Sequence, residues 1–216
     1  MREGFIFDLD GVITDTAKFH YQAWKELADE LGISIDEKFN ETLKGISRME
    51  SLEKIIAHGG KETAYSEAEK EELAAKKNTN YVELLKDLSP KDLLPGVAGF
   101  LKAAKAKGIP CAIASASKNA PMILDKLEVS HYFAHIVDPN TLTKGKPDPE
   151  IFLKAAASIA VAPEKAVGFE DAKAGIAGIK AAGMYAVGIK TTEALPEADV
   201  VVTDLTELDI DRLLQQ

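Results

Sequence analysis

Phe5-Ile6-Phe7-Asp8-Leu9-Asp10-Gly11-Val12 decides how the rest of this 216-residue chain is read. Its apolar opening is too short for a helix and reads as a buried strand. Two carboxylates one residue apart close it, and Gly11 lets the backbone turn away. The strand therefore delivers acids to a sheet edge. Side chains alternate along extended backbone, so Asp8 and Asp10 lean to one side, where a divalent cation offsets their like charge. Metal and phosphate chemistry is the functional reading. Solvated turn acids or a helix N-cap is the plain structural one, and this stretch alone leaves both open.

Beyond the turn, Asp15 is placed to cap a helix from about Thr16 to Leu31, with Phe19, Ala23 and Leu27 at helical spacing beside His20 and Trp24. A lone histidine on such a stripe is more often a satisfied core residue than a catalytic one. In Lys44-Gly45-Ile46-Ser47-Arg48-Met49-Glu50, Ser47 and Glu50 form a capping box, so Lys44 and Arg48 flank a helix N-terminus. That is either an anion cradle or two solvated cations. A second capping box, Ser66 to Glu69, opens a charge-rich helix running to about Lys86. Lys76, Lys77 and Asn78 lie on it, and by themselves they imply only a solvated face.

Ser89-Pro90 and Leu94-Pro95-Gly96 then change the rhythm to alternating strand and helix. The apolar runs Ile109–Ala114, Ile136-Val137, Ala166–Phe169, Tyr185–Ile189 and Asp199–Val202 predict an α/β fold whose parallel sheet is covered on both faces; the opening strand needs the same sheet to be buried. The helical stretch from 15 to 88 is therefore an insertion, a cap, within a core made of 1–14 and 89–216.

Open parallel sheets place ligands beyond the carboxyl ends of their strands. After Asp8 and Asp10, the next such end is Ser115-Ala116-Ser117-Lys118-Asn119, suited equally to phosphate oxygens and to plain helix capping. Lys146-Pro147-Asp148-Pro149 offers a lysine ahead of a helix, and Glu170-Asp171 follows Val167-Gly168-Phe169. Acids at two strand ends, a hydroxyl and a lysine make a phosphoryl-transfer inventory, and hard oxygen ligands suit Mg2+. One acid serves as nucleophile and another as general acid/base.

Lys and Arg total 26 against 35 Asp and Glu, a formal net charge of −9, which disfavours nucleic acid and anionic membrane as partners. Any anionic ligand must therefore meet locally placed cations. Cys111 is the single cysteine, so no intrachain disulfide forms and it reads as a small buried hydrophobe. No apolar run reaches spanning length and no signal pattern precedes the first strand, so a soluble, cytoplasmic protein is expected.

Asp8-Leu9-Asp10-Gly11-Val12, Ser115, Lys146-Pro147 and Glu170-Asp171 resemble, in order and over the whole chain, the four motifs of the haloacid dehalogenase-like superfamily. Phe7 to Thr16, Lys44 to Arg48 and Ser115 to Asn119 are further similar to its sugar-phosphate mutases. The resemblance implies a Rossmann-like core with an inserted four-helix cap. It also implies Mg2+, and interconversion of beta-D-glucose 1-phosphate and D-glucose 6-phosphate through a phospho-aspartate and beta-D-glucose 1,6-bisphosphate.

By the same resemblance Asp8 is the nucleophile, and Asp10 is the general acid/base with its carbonyl on the metal, whose other protein contacts are Glu170 and Asp171. Ser115 and Lys146 hold the transferring phosphoryl. Arg48, Ser117 and Asn119, with Ala116 beside them, hold the second phosphate. Lys44 and Gly45 approach the sugar or Asp10 on closure, Thr16 and His20 correspond to hinge and acid/base-positioning residues, and Lys77 and Asn78 lie near the substrate. Small sugar phosphates are the implied partners of a monomer. Ala172 stands where some relatives have Ser, and Gly145 precedes the motif lysine; neither removes a catalytic group. The rival on the same fold is a sugar-phosphate phosphatase. Dehalogenation leaves Asp10 and the metal acids without a task, and a non-catalytic sugar-phosphate-binding protein leaves the whole inventory idle.

Overall fold

All four residues of β1 (Gly4–Phe7) are buried, as a central strand of a covered parallel sheet requires. In the computed structural model, which describes residues 1–216, five further strands join it: β2 (Cys111–Ile113), β3 (His135–Ile136), β4 (Ala166–Glu170), β5 (Tyr185–Ile189) and β6 (Val200–Val202). All pairings are parallel and the order is β3-β2-β1-β4-β5-β6. The chain thus builds outward from β1 to one side, then crosses over and builds to the other, so β1 and β4 form the topological switch point at which such sheets bind ligands.

Alternation along β1 sorts its side chains to two faces. Phe5 and Phe7 meet Phe100 of α5 (Val97–Ala106) and Phe169 of β4; the Phe7 and Phe169 rings stack with centroids 4.4 Å apart. Ile6 joins the other core, with Phe152 of α7 (Glu150–Ser158) and Ile176 and Ile179 of α8 (Lys173–Ala181). Full burial of each of these phenylalanines contributes about 1.5–3 kcal/mol, which fixes the register that brings the strand ends level. Cys111 is buried on β2, and burial pushes its thiol up to about 12, so it acts as a small apolar side chain.

The chain divides into two units, Met1–Asp15 with Leu88–Gln216, and Thr16–Asp87. The second contains α1 (Ala17–Glu30), α2 (Glu37–Glu41), α3 (Arg48–His58) and α4 (Glu67–Leu84) around Trp24, Leu27, Leu52 and Ile55. Both capping boxes form, Ser47 with Glu50 and Ser66 with Glu69. The expected Asp15 cap does not. Thr16 occupies the N-cap position of α1 and makes no side-chain cap bond, which leaves Asp15 one residue too early to reach the first free amides. The five-residue α2, capped by Asp36 on Phe39 N, is too short to show a period in the sequence. The remaining helices, α6 (Ala120–Lys126) and α9 (Ile210–Leu214), belong to the sheet unit. No helix is long and apolar enough to cross a membrane.

Candidate active site

The hydrogen-bond ladder continues one residue past the ends of β1 and β2: Asp8 N donates to Phe169 O at 2.9 Å and Ala114 N to Phe7 O at 2.8 Å. Asp8, Ser115 and Glu170 consequently stand at the ends of three adjacent strands. Lys146 enters from the loop ahead of α7. Its Nζ donates to Asp8 Oδ1 at 2.7 Å and to Glu170 Oε1 at 2.8 Å, and the three side chains are 1%, 8% and 0% exposed. One ammonium thus bridges two carboxylates in a water-poor site.

The electrostatics follow from that burial. It pushes the Asp8 carboxyl up to about 7, against the pull of Lys146 and with the push of Glu170 and Asp10. Burial also opposes the charge on Lys146, but Asp8 and Glu170 more than compensate and hold its pKa above the ordinary lysine value. Each of the carboxylates Asp8, Glu170 and Asp171 offers an oxygen, and these oxygens lie within 4.8 Å of one another. With Lys146 and all three carboxylates ionised, two formal negative charges remain for a divalent cation to balance, and such a cation in turn favours ionised Asp8. The spacing also suits an octahedral ion with ligands at about 2.1 Å, whose opposite ligands lie about 4.2 Å apart. The donor set fits a hard divalent metal.

Asp10 sits in the turn after β1, paired as an isolated bridge with Thr14, while Gly11 N donates to Thr14 O at 2.8 Å. Thr14 Oγ1 donates in turn to Asp92 O at 2.7 Å, tying this turn to the chain's return. Ser115 is buried and its Oγ accepts from Ser117 N at 3.1 Å; Ser117 Oγ accepts from Asn119 N at 3.3 Å. Ala116 lies between them, and Asn119 precedes α6 without a side-chain cap bond. The Ser115 to Asn119 stretch is therefore a folded turn ahead of a helix.

The helical unit gathers its own candidates in pairs. Lys77 is 2% exposed, its Nζ is 2.8 Å from His20 Nδ1, and it lies 4.6 Å from the ring centroids of both Trp24 and Tyr81. It is thus a buried cation in an aromatic setting, whereas the charges around it in the sequence, taken by themselves, imply a solvated face. Arg48 Nη2 donates to Asn78 Oδ1 at 2.8 Å, and burial lowers the pKa of its guanidinium. Lys44 pairs with Glu41 at 2.9 Å, beside Gly45. Thr16 is fully buried and its Oγ1 has no hydrogen-bond partner.

Two glycines shape the candidate metal-binding acids through contacts that the sequence does not specify. A Cβ on Gly11, whose φ is +75°, lies 2.1 Å from Asp171 Oδ2; one on Gly175 lies 1.7 Å from Glu170 Oε1. A glycine inside α8, where alanine is favoured by about 1 kcal/mol, was the available signal that something packs against it. Gly175→Ala displaces Glu170 from Lys146 Nζ and from the Asp171 amide that its Oε2 accepts at 2.7 Å. The expected result is a loss of about 1–3 kcal/mol in thermal unfolding and a fall of about tenfold or more in Mg2+ affinity by calorimetric titration, despite the better helix former.

Comparison with known proteins places this geometry. The family described as haloacid dehalogenase-like hydrolase matches residues 3–183. The chain is 50% identical over 211 residues, 98% of its length and 93% of the relative's, to Beta-phosphoglucomutase of Bacillus subtilis strain 168. It is 32% identical over 206 residues, 92% of each chain, to Phosphorylated carbohydrates phosphatase of Thermotoga maritima. The crystal structure of beta-Phosphoglucomutase from Clostridium difficile superposes with a TM-score of 0.96 at 46% identity, covering 100% of this chain and 96% of that one. Topology, strand-end chemistry and sequence agree, and the chain belongs to the haloacid dehalogenase-like hydrolase family.

Proposed function

We propose that this chain interconverts beta-D-glucose 1-phosphate and D-glucose 6-phosphate through phospho-Asp8 and beta-D-glucose 1,6-bisphosphate. The observation that carries the reading is the 50% identity, kept over 98% of the chain, to the Bacillus subtilis beta-phosphoglucomutase. The buried Asp8, Lys146 and Glu170 are where the reading locates the chemistry.

Phospho-Asp8 gives its phosphoryl group to a hydroxyl of the sugar monophosphate: the bond to the Asp8 oxygen breaks as the bond to the sugar oxygen forms, and Asp10 takes the hydroxyl proton. The bisphosphate reorients. Asp8 then attacks the other phosphate, and Asp10 returns the proton to the departing sugar oxygen. Lys146 and the Ser115 hydroxyl donate to oxygens of the group in flight, in a site dry enough for those bonds to be strong. Asp8, Glu170, Asp171 and the Asp10 carbonyl would hold Mg2+, which when bound would supply positive charge near the phosphoryl oxygens. Ser117, Ala116 and Asn119 serve the phosphate that is not transferring. Lys44, Gly45, Arg48, Lys77 and Asn78 of the helical unit are assigned to substrate recognition, and Thr16 and His20 to acid/base positioning, on the motif resemblance alone. The same reading sets the protein in the cytoplasm, as a monomer acting on small sugar phosphates.

Asp10→Asn keeps the shape but removes the proton acceptor, and transfer is expected to slow by about 100-fold in a pre-steady-state assay of Asp8 dephosphorylation by sugar phosphate. A rate within threefold of wild type removes Asp10 from the mechanism.

A sugar-phosphate phosphatase, in which water takes the phosphoryl group, uses the same groups of the sheet unit and is favoured by the 32% identity to the Thermotoga maritima phosphatase. An NMR time course with Mg2+, beta-D-glucose 1-phosphate and a trace of the bisphosphate separates the two. Stoichiometric glucose 6-phosphate supports the mutase, and inorganic phosphate as the main product replaces it with the phosphatase.

A further inference from the structure

Lys146 is gripped at its tip by Asp8 and Glu170, but the loop that delivers it is held by another carboxylate. Glu150, the first residue of α7, turns back to the start of that loop. Its Oε2 accepts from Thr143 N at 2.9 Å, from Thr143 Oγ1 at 2.7 Å and from Lys144 N at 2.9 Å, while Oε1 pairs with Lys154 Nζ at 2.9 Å. These bonds close the chain from Thr143 to Glu150 into a loop that contains the motif lysine. These bonds lie at the surface, and their strength comes from three donors converging on one oxygen of an ionised carboxylate. Other ties lie nearby: Lys154 Nζ also donates to Thr141 O, Glu150 N donates to Asp148 Oδ1 at 3.0 Å, Asp148 N donates to Gly145 O within the turn, and the mostly exposed Lys144 Nζ stands 3.5 Å from Asp148; of all these contacts it is the Glu150 carboxylate that joins Thr143 and Lys144 to α7. Lys154, the Thr143 hydroxyl and the Lys144 amide hold the Glu150 carboxyl down to about 2, so it stays ionised at any working pH.

We propose that Glu150 is a positioning residue for phosphoryl transfer: by clamping Thr143 and Lys144 to the start of α7, it fixes the loop from which Lys146 reaches Asp8 and Glu170. The inference rests on the role assigned above to Lys146. A group misplaced by about 1 Å loses on the order of 100-fold in rate, so a clamp distant from the reacting atoms has a kinetic consequence.

The test uses the full chain with Mg2+ and reads lysine accessibility by reductive methylation and peptide mass spectrometry. Lys146 and Lys77 are both buried, so both are expected to be protected in the wild type. Glu150→Ala is expected to raise Lys146 labelling about tenfold by local opening of the loop, with Lys77 in the other unit unchanged. Glu150→Gln keeps an acceptor oxygen and retains most of the protection. In turnover, Glu150→Ala lowers kcat by about 10- to 100-fold with little change in KM, and adds no further loss in a Lys146→Ala background. Wild-type protection of Lys146 in the alanine variant overturns the proposal, as does equal exposure of Lys146 and Lys77, which marks general loosening. The labelling result does not depend on turnover, so absence of mutase activity in the wild type counts against the functional reading and not against the clamp.

Discussion

Replacing Asp8 by Asn is expected to lower sugar-phosphate turnover by on the order of 10⁴-fold or more while leaving the fold at least as stable as the wild type. The rate loss follows from nucleophilicity: a neutral amide at the end of β1 cannot take up the phosphoryl group, and removal of a covalent nucleophile is among the largest effects seen in enzymes. The stability follows from burial. An Asp8 carboxyl pushed up to about 7 is one whose ionisation the folded state opposes, mainly through desolvation and with Glu170 and Asp10 adding repulsion. Asn occupies the same volume without that charge, and its amide oxygen still accepts from Lys146. Steady-state kinetics and thermal unfolding of one preparation check both halves. Turnover within tenfold of wild type dismisses Asp8 as the nucleophile, and a large fall in Tm transfers the activity loss to misfolding.

Lys146→Met is expected to act in the opposite sense on stability. Methionine nearly matches the buried stem of lysine but leaves Asp8 and Glu170, both almost fully enclosed, without their shared cation. Breaking such a buried pair from one side costs about 3–5 kcal/mol, equivalent to a fall in Tm of roughly 6–20 °C for a chain of this size. The pH dependence has a definite sign. Lys146 has a raised pKa, so its contribution is complete below the ordinary lysine value and persists across the neutral range. Asp8 has a raised pKa, so between about 4 and about 7 the folded protein binds more protons than the unfolded one, and the ionised site grows less favourable as pH rises. Removing the lysine steepens that trend. The deficit of the variant in metal-free buffer is therefore largest above pH 7 and shrinks as the pH falls and Asp8 takes up its proton. A deficit independent of pH contradicts this account, because loss of packing alone does not titrate.

The readable parts of the chain were those with local physical causes. β1 was legible because a short apolar run between a charged start and an acidic turn has few alternatives, and the capping boxes because Ser47 with Glu50 and Ser66 with Glu69 satisfy free helix amides within four residues. Asp8 and Glu170 could each be placed at a strand end, but Lys146, expected at a third, lies ten residues beyond β3 on the loop ahead of α7, and the meeting of the three within 2.8 Å depends on a crossover from β3 to β4 that periodicity does not specify. Two of the differences arise from long-range packing and one from a helix boundary. Gly175 looks like a weak helix residue until the Glu170 carboxylate is seen filling the place of its side chain. Lys77 reads as solvent-facing because its neighbours on α4 are charged, and only the packing of α1 puts Trp24 and His20 over it. Asp15 failed as a cap by one residue, within the ordinary uncertainty of a helix start.

The most direct test of the central claim follows a phosphoryl group through Asp8. Protein with Mg2+ is mixed with radiolabelled beta-D-glucose 1,6-bisphosphate, quenched in acid and mapped by peptide, and a second portion is chased with unlabelled beta-D-glucose 1-phosphate before the quench. The expected result is label on the peptide carrying Asp8, moving on chase into sugar bisphosphate far faster than into inorganic phosphate. Label absent from that peptide, or released to water at one rate with and without the sugar, contradicts it.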